Sequence, residues 1–197
     1  MSTEQDSLHP RETILDAAVH LFSKHGYTAT TMRDIAKAIG VLPGSLYTHI
    51  DSKETLLLEI IESGIKKFLS VQKVFESSIR PADVRMRAAI KAHVAIVAEN
   101  PERTLVVFHQ WRFLSEPNRT RAIDMRRRYA RTFTKIVNDG VETGIFDANL
   151  NTRVAVFAIL GALNWTPEWY LPSGPLSADV IGEQLADTLL CGLLKQA

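Results

Sequence analysis

The chain of 197 residues has one cysteine, Cys191. A lone thiol permits no intrachain disulfide, and no Cys/His cluster is spaced for zinc. Cys191 lies in the apolar run 189–194 and reads as a small core residue. Long hydrophobic runs are also missing. The longest, Val154–Trp165, is broken by Gly161 and Asn164 and falls short of the roughly 20 residues a bilayer requires. The start, Met1–Pro10, lacks a basic segment followed by an apolar one, so no targeting signal or membrane partner is expected, and the composition points to the cytoplasm. Charge imbalance is small: 23 Lys and Arg stand against 22 Asp and Glu, a net +1. That excludes a chain driven to its partners by bulk charge alone. His20, His25, His93 and His109 show no HExxH-like spacing, and no Ser/His/Asp order stands out. Neither a metal site, a resident cofactor nor a catalytic residue is expected, and the chain does not read as an enzyme.

With 46% hydrophobic residues, the chain has ample material for a core. No strand run, repeat or low-complexity stretch interrupts it. Apolar positions recur at helical spacing over about 10–25, 32–39, 43–50, 52–77, 83–98, 101–114, 118–143, 150–168 and 178–195. An all-α fold of about nine helices is therefore expected. Residues 1–52 form a three-helix N-terminal domain and residues 53–197 a larger helical one, joined by the long helix that starts near Ser52.

The segment 28–56 is the most informative. Thr31 followed by Asp34 has the Ser/Thr-x-x-acid form of a capping box. Ile35, Ala36 and Ile39 fall on one face, and small Ala36 allows a close helix crossing. Gly40 stands where the chain leaves this helix, and Pro43 suits the first turn of the next. Leu46 can pack back under Ala36. The residues left outward are Leu42, Pro43, Gly44, Ser45, Tyr47, Thr48 and His49, suited to base edges, thymine methyls and phosphates. This is the form of a helix-turn-helix, whose second helix enters a major groove of double-stranded DNA. Charge does not reinforce it: residues 1–56 hold five basic side chains and seven acidic ones. Non-specific affinity for DNA is expected to be modest.

The approach helix Arg11–Phe22, Gly26-Tyr27, Thr30-Thr31, Ile35-Ala36, Gly40-Val41, Gly44–Tyr47 and Lys53–Leu56 resemble the N-terminal domain of the TetR family of transcriptional repressors. The resemblance implies a homodimer that binds a palindromic operator and is released by a small hydrophobic effector held in the C-terminal domain. Carried onto matching positions, it implies DNA contacts from Thr31, Arg33, Leu42, Pro43, Gly44, Ser45, Tyr47, His49 and Lys53. Leu42-Pro43 departs from the family's usual small or polar residues there. The run 164–172, with Gly174–Ser177 after it, is similar to a signature in members that govern lipid and steroid-ring breakdown and answer to coenzyme A thioesters. Leu171 stands where many of those carry a basic residue.

In the larger domain, Ala155, Ala158, Gly161 and Ala162 form a small-residue stripe, and Leu185, Leu189, Gly192 and Leu193 an apolar one. Two such helices from each subunit would make a four-helix dimer interface. Phe68, Phe108, Trp111, Phe133, Phe157, Trp165 and Trp169 are expected to line an effector cavity. Seven arginines lie at 112 and between 119 and 131; Arg112 and Arg128 are expected to clamp an anionic group such as the phosphates of an acyl-CoA. His93 and His109 read as polar groups in or near that cavity. The rival reading is a helical lipid or acyl-thioester binding protein without specific DNA binding, which the acidic head favours.

Overall fold

The computed structural model describes residues 10–72, 75 and 79–194, and every structural statement below refers to them. Among them are nine α-helices: α1 (Pro10–His25), α2 (Met32–Ala38), α3 (Pro43–Leu46), α4 (Lys53–Ser70), α5 (Ala82–Glu99), α6 (Pro101–His109), α7 (Asn118–Glu142), α8 (Thr152–Trp169) and α9 (Ala178–Cys191). A 3-10 turn, Trp111–Phe113, follows α6. The described residues hold no strand, only one backbone bridge between Phe146 and Leu194. The all-α expectation holds.

Helices α1–α3 form a small head around Phe22, Ile35, Ala36, Leu46 and Ile50, each at most 2% exposed. Its core continues into Leu56, Leu57, Ile60 and Ile61 of α4. The start of α4 is capped by Ser52, which accepts from Thr55 N–H at 3.0 Å. Behind the head, α4 packs on α6 and α7, while α5 packs lengthwise on α9. Lys91 reaches Asp179 at 3.0 Å and Glu183 at 2.7 Å across that seam, beside the Arg87 pairs with Glu183 and Asp187. Near the end of α7, Gly140 leaves room for Phe146: an added Cβ would lie 2.1 Å from the ring.

Several helices end earlier than their apolar periodicity predicts. Helix α3 stops at Leu46, and the chain goes on in tightened turns with Thr48 Oγ1 donating to Ser45 O at 2.6 Å. Helix α4 ends at Ser70; of the predicted remainder, residues 73, 74, 76 and 77 lie outside the described ones. Helix α6 ends at His109, five residues short: Gln110 is its C-cap, and the chain tightens into the 3-10 turn Trp111–Phe113. Cys191 is exposed, correcting its reading as core: helical phase sends Leu190 and Leu193 inward instead.

Candidate nucleic-acid interface and interior cavity

The head presents one continuous exposed edge. The capping box forms as its spacing requires: Asp34 N–H donates to Thr31 Oγ1 at 3.2 Å, and Thr31 N–H to Asp34 Oδ2 at 2.8 Å. The Thr31 hydroxyl also donates to Asp34, and these bonds hold the carboxyl below its ordinary range. Gly40 takes a φ of 73°, which lets Val41 N–H close on Ala36 O at 3.0 Å and turns the chain into α3. Pro43 occupies the first turn of α3. Leu46 and Ile50 point inward while Leu42 (78% exposed), Gly44, Ser45, Tyr47 (54%), Thr48 and His49 point out, with Thr31 and Arg33 exposed beside them.

Two cations brace this edge from behind. Arg11 forks onto Glu59 at 3.0 and 2.6 Å and donates to His49 O at 2.9 Å, pinning the turn that follows α3. Lys53, expected at the DNA, donates to Tyr27 O at 2.8 Å and Thr30 O at 2.7 Å, with its ammonium 4.3 Å from the Tyr27 ring centre. Burial lowers its pKa. Two of its three N–H groups are thus committed to the link between α1 and α2. Lys53→Met strands both carbonyls at about 1–3 kcal/mol. The thermal midpoint should then fall by roughly 2–4 °C per kcal/mol. A variant that keeps the wild-type midpoint but flattens the salt dependence of DNA binding would instead make Lys53 a phosphate contact.

A cavity of about 440 Å³ lies between α4, α6, α7 and α8. Phe68, Phe108, Trp111 and Phe157 line it. Phe133 is fully buried behind Tyr129, edge-on at 5.3 Å. Trp165 and Trp169 are 57% and 45% exposed on the outer side of α8, with Trp165 edge-on to His109 at 5.7 Å. Arg112 is exposed on the 3-10 turn, and Arg128 faces a separate surface groove with Thr120, Met125 and Arg131.

The cations at the cavity are Arg126 and Arg127. Arg127 is exposed and pairs with Asp124 at 3.3 Å. Arg126 is half-buried, its guanidinium 5.2 Å from the Trp111 ring centre, and it makes only a long 3.5 Å contact to Val107 O. No carboxylate pairs with it among the described residues. Burial, and secondarily Arg112, lower its pKa. Deeper in, the Tyr129 hydroxyl meets His93 Nδ1 at 3.1 Å. Burial drives His93 down to about 3, so the imidazole is neutral, and pushes Tyr129 far up. Both groups therefore act as neutral hydrogen-bonding partners. Burial also lowers His109, against the pull of Glu168 at 3.5 Å.

Residues 14–60 match the family described as bacterial regulatory proteins of the tetR family, and residues 80–193 match the tetracyclin repressor-like C-terminal domain. The chain belongs to the TetR family. As a member it is a DNA-binding transcriptional repressor with a helix-turn-helix head, and TetR-family proteins are regulators of transcription as a class. The HTH-type transcriptional repressor KstR2 of Mycobacterium tuberculosis is 28% identical over 188 residues, 94% of either chain. The TetR family regulator PfmR of Thermus thermophilus superposes with a TM-score of 0.82 at 31% identity, covering 92% of this chain and 99% of that one. AibR, solved in complex with isovaleryl coenzyme A and operator DNA, superposes with a TM-score of 0.79 at 25% identity, covering 93% and 97%.

This TetR-family chain also carries an uncovered apolar face on α8 and α9. Val154 and Phe157 are each 62% exposed, with Ala158, Gly161 and Trp165 continuing the stripe. Ala155, expected on this face, points inward instead. On α9 and just past its end, Cys191 and Gly192 are exposed, Leu185 and Leu189 half-buried, and Leu193 buried. None of the described helices is long and apolar enough to cross a membrane.

Proposed function

We propose that the chain is an effector-responsive repressor whose operator complex is broken by an acyl-CoA thioester. The observation behind this reading is Arg126, a half-buried cation that meets no carboxylate among the described residues, at a cavity lined mostly by apolar side chains. Such a site suits an amphipathic anion. At about 440 Å³ the cavity is near the lower end of small-molecule sites. An acyl group fits inside while a nucleotide head stays at the mouth near Arg126 and Arg127. The reading is supported by AibR, whose crystal complex contains an acyl-CoA together with operator DNA.

In this scheme residues 1–52 read the operator and residues 53–197 sense the effector and dimerise. The uncovered face of α8 and α9 meets the same face of a second copy, so two recognition turns lie about one DNA turn, ~34–36 Å, apart. Thr31, Arg33, Leu42, Pro43, Gly44, Ser45, Tyr47 and His49 supply the DNA contacts, and the remaining Lys53 N–H is free for a phosphate. Effector binding selects a state in which α4 has shifted and the heads are misaligned. We assign no reaction to the chain, and place it in the cytoplasm with its operator.

Titration of the operator complex with octanoyl-CoA tests the scheme. Release by the thioester, and not by free coenzyme A or octanoate at the same concentration, is the expected result. An operator complex indifferent to the thioester overturns the effector assignment, and absence of any specific footprint would favour the lipid-carrier reading.

A further inference from the structure

Gln110, at the end of α6, is 7% exposed and turns both polar ends of its carboxamide to the head. Its Oε1 accepts from Tyr27 N–H at 2.7 Å, and its Nε2 donates to Phe22 O at 2.6 Å. The backbone partners, one donor and one acceptor, fix which way the amide points. These two bonds join residues 83 and 88 positions apart, at the place where α1 gives way to the link into α2. Other ties between α6 and α1, Arg103 to Asp16 and Glu102 to His20, run between more exposed side chains and hold less firmly.

The residues after Gln110 face two ways. Trp111 lines the cavity under the Arg126 guanidinium. Phe113, on the same 3-10 turn, stacks on Tyr27 at 5.9 Å with the rings 22° apart. Ser115 and Asn118 then donate to Glu54 at the start of α4, holding that carboxyl below its ordinary range. One short turn therefore has the cavity on one side and the head on the other. A ligand that displaces the Trp111 ring moves the backbone next to Gln110. The carboxamide, bonded to main chain at both ends, must then carry the head with it or leave two buried polar groups unpaired.

The geometry points to Gln110 as the positioning residue that couples cavity occupancy to head orientation, in parallel with α4. It is buried, off the exposed edge of the head, and does not line the cavity. The inference rests on the effector reading above, and its test separates the two. Gln110→Leu keeps the bulk and removes both bonds. It should bind octanoyl-CoA directly, and bind operator in its absence, within about 3-fold of wild type. Yet the thioester-induced loss of operator affinity, of the order of 5- to 150-fold in coupled systems, should shrink below about 2-fold. A second arm needs no ligand: Trp111→Ala alters the cavity wall and should change operator affinity in the wild-type background but not beside Gln110→Leu.

A Gln110→Leu protein that responds to the thioester as wild type does, or a Trp111→Ala effect equal in both backgrounds, overturns the coupling role. If wild type ignores the thioester while the second arm behaves as expected, the effector assignment fails and the coupling stands. Should Gln110→Leu not fold, Gln110→Met replaces it, together with hydrogen exchange on the wild-type protein. Tyr27 N–H should change its exchange rate when octanoyl-CoA releases the operator, and an unchanged rate overturns the proposal.

Discussion

Tyr47→Ala should lower affinity for a palindromic operator by roughly 30- to 1,000-fold. Tyr47 is 54% exposed on the turn that follows α3, between the inward-facing Leu46 and Ile50. The ring is free to meet a base edge, a thymine methyl or a phosphate, while the packing that fixes the turn belongs to its neighbours. A lost recognition contact of this kind costs about 1–2 kcal/mol. A two-fold complex loses it twice, and well-separated contacts add. The thermal midpoint should hardly move: Tyr47 closes α3 through its backbone N–H, which alanine keeps, and exposed substitutions outside the core change stability by about ±0.5 kcal/mol. Comparing full and half operators by fluorescence anisotropy sharpens the test. The logarithm of the loss on the full site should be twice that on the half site. Specific binding kept within about 3-fold of wild type would remove Tyr47 from the interface, and equal losses on full and half sites would remove the dimer.

The head was readable because its signals are local. Thr31 with Asp34, Gly40, Pro43 and Leu46 each act on residues within a few positions, and each does in the structure what its spacing implies. The parts that were not readable depend on distant partners. Lys53 looks like any first-turn lysine, and only the Tyr27 and Thr30 carbonyls, brought close by the fold, decide where its protons go. Helix α6 keeps its apolar period past His109, but the chain turns at Gln110, whose side chain there meets Phe22 and Tyr27 of the distant head. The arginines of α7 show an intermediate case. Side chains two positions apart on a helix are turned about 200° around its axis, so Arg126 and Arg128 cannot share a cavity. Ala122, Arg126, Tyr129 and Phe133 follow the i, i+4, i+7, i+11 spacing of one face, and that phase was available without coordinates. The tryptophans mislead differently. Trp165 and Trp169 have the size of cavity residues but sit on the outer side of α8, where a second subunit, not an effector, covers them in the proposed dimer.

Arg126→Leu should separate effector binding from stability in opposite directions. In the free protein this guanidinium is half-buried against Trp111, has Arg112 as a like-charged neighbour, and meets no carboxylate among the described residues. It is held at some cost, since a desolvated charge without a counter-ion is unfavourable. Leucine relieves that cost and adds apolar contact, so the thermal midpoint of the effector-free protein should stay level or rise. An anionic effector loses its charge-assisted hydrogen bonds at about 1.5–3 kcal/mol, a fall in affinity of roughly 10- to 150-fold. The concentration of octanoyl-CoA needed to release the operator should rise in proportion, with operator affinity in its absence unchanged. Arg126→Lys should fall between, because an ammonium keeps the charge but loses the planar two-point grip on phosphate or carboxylate. Calorimetric titration and a melting curve on the same three proteins decide it. A lower melting temperature with undiminished thioester binding would make Arg126 a structural cation, and the anionic effector would lose its anchor.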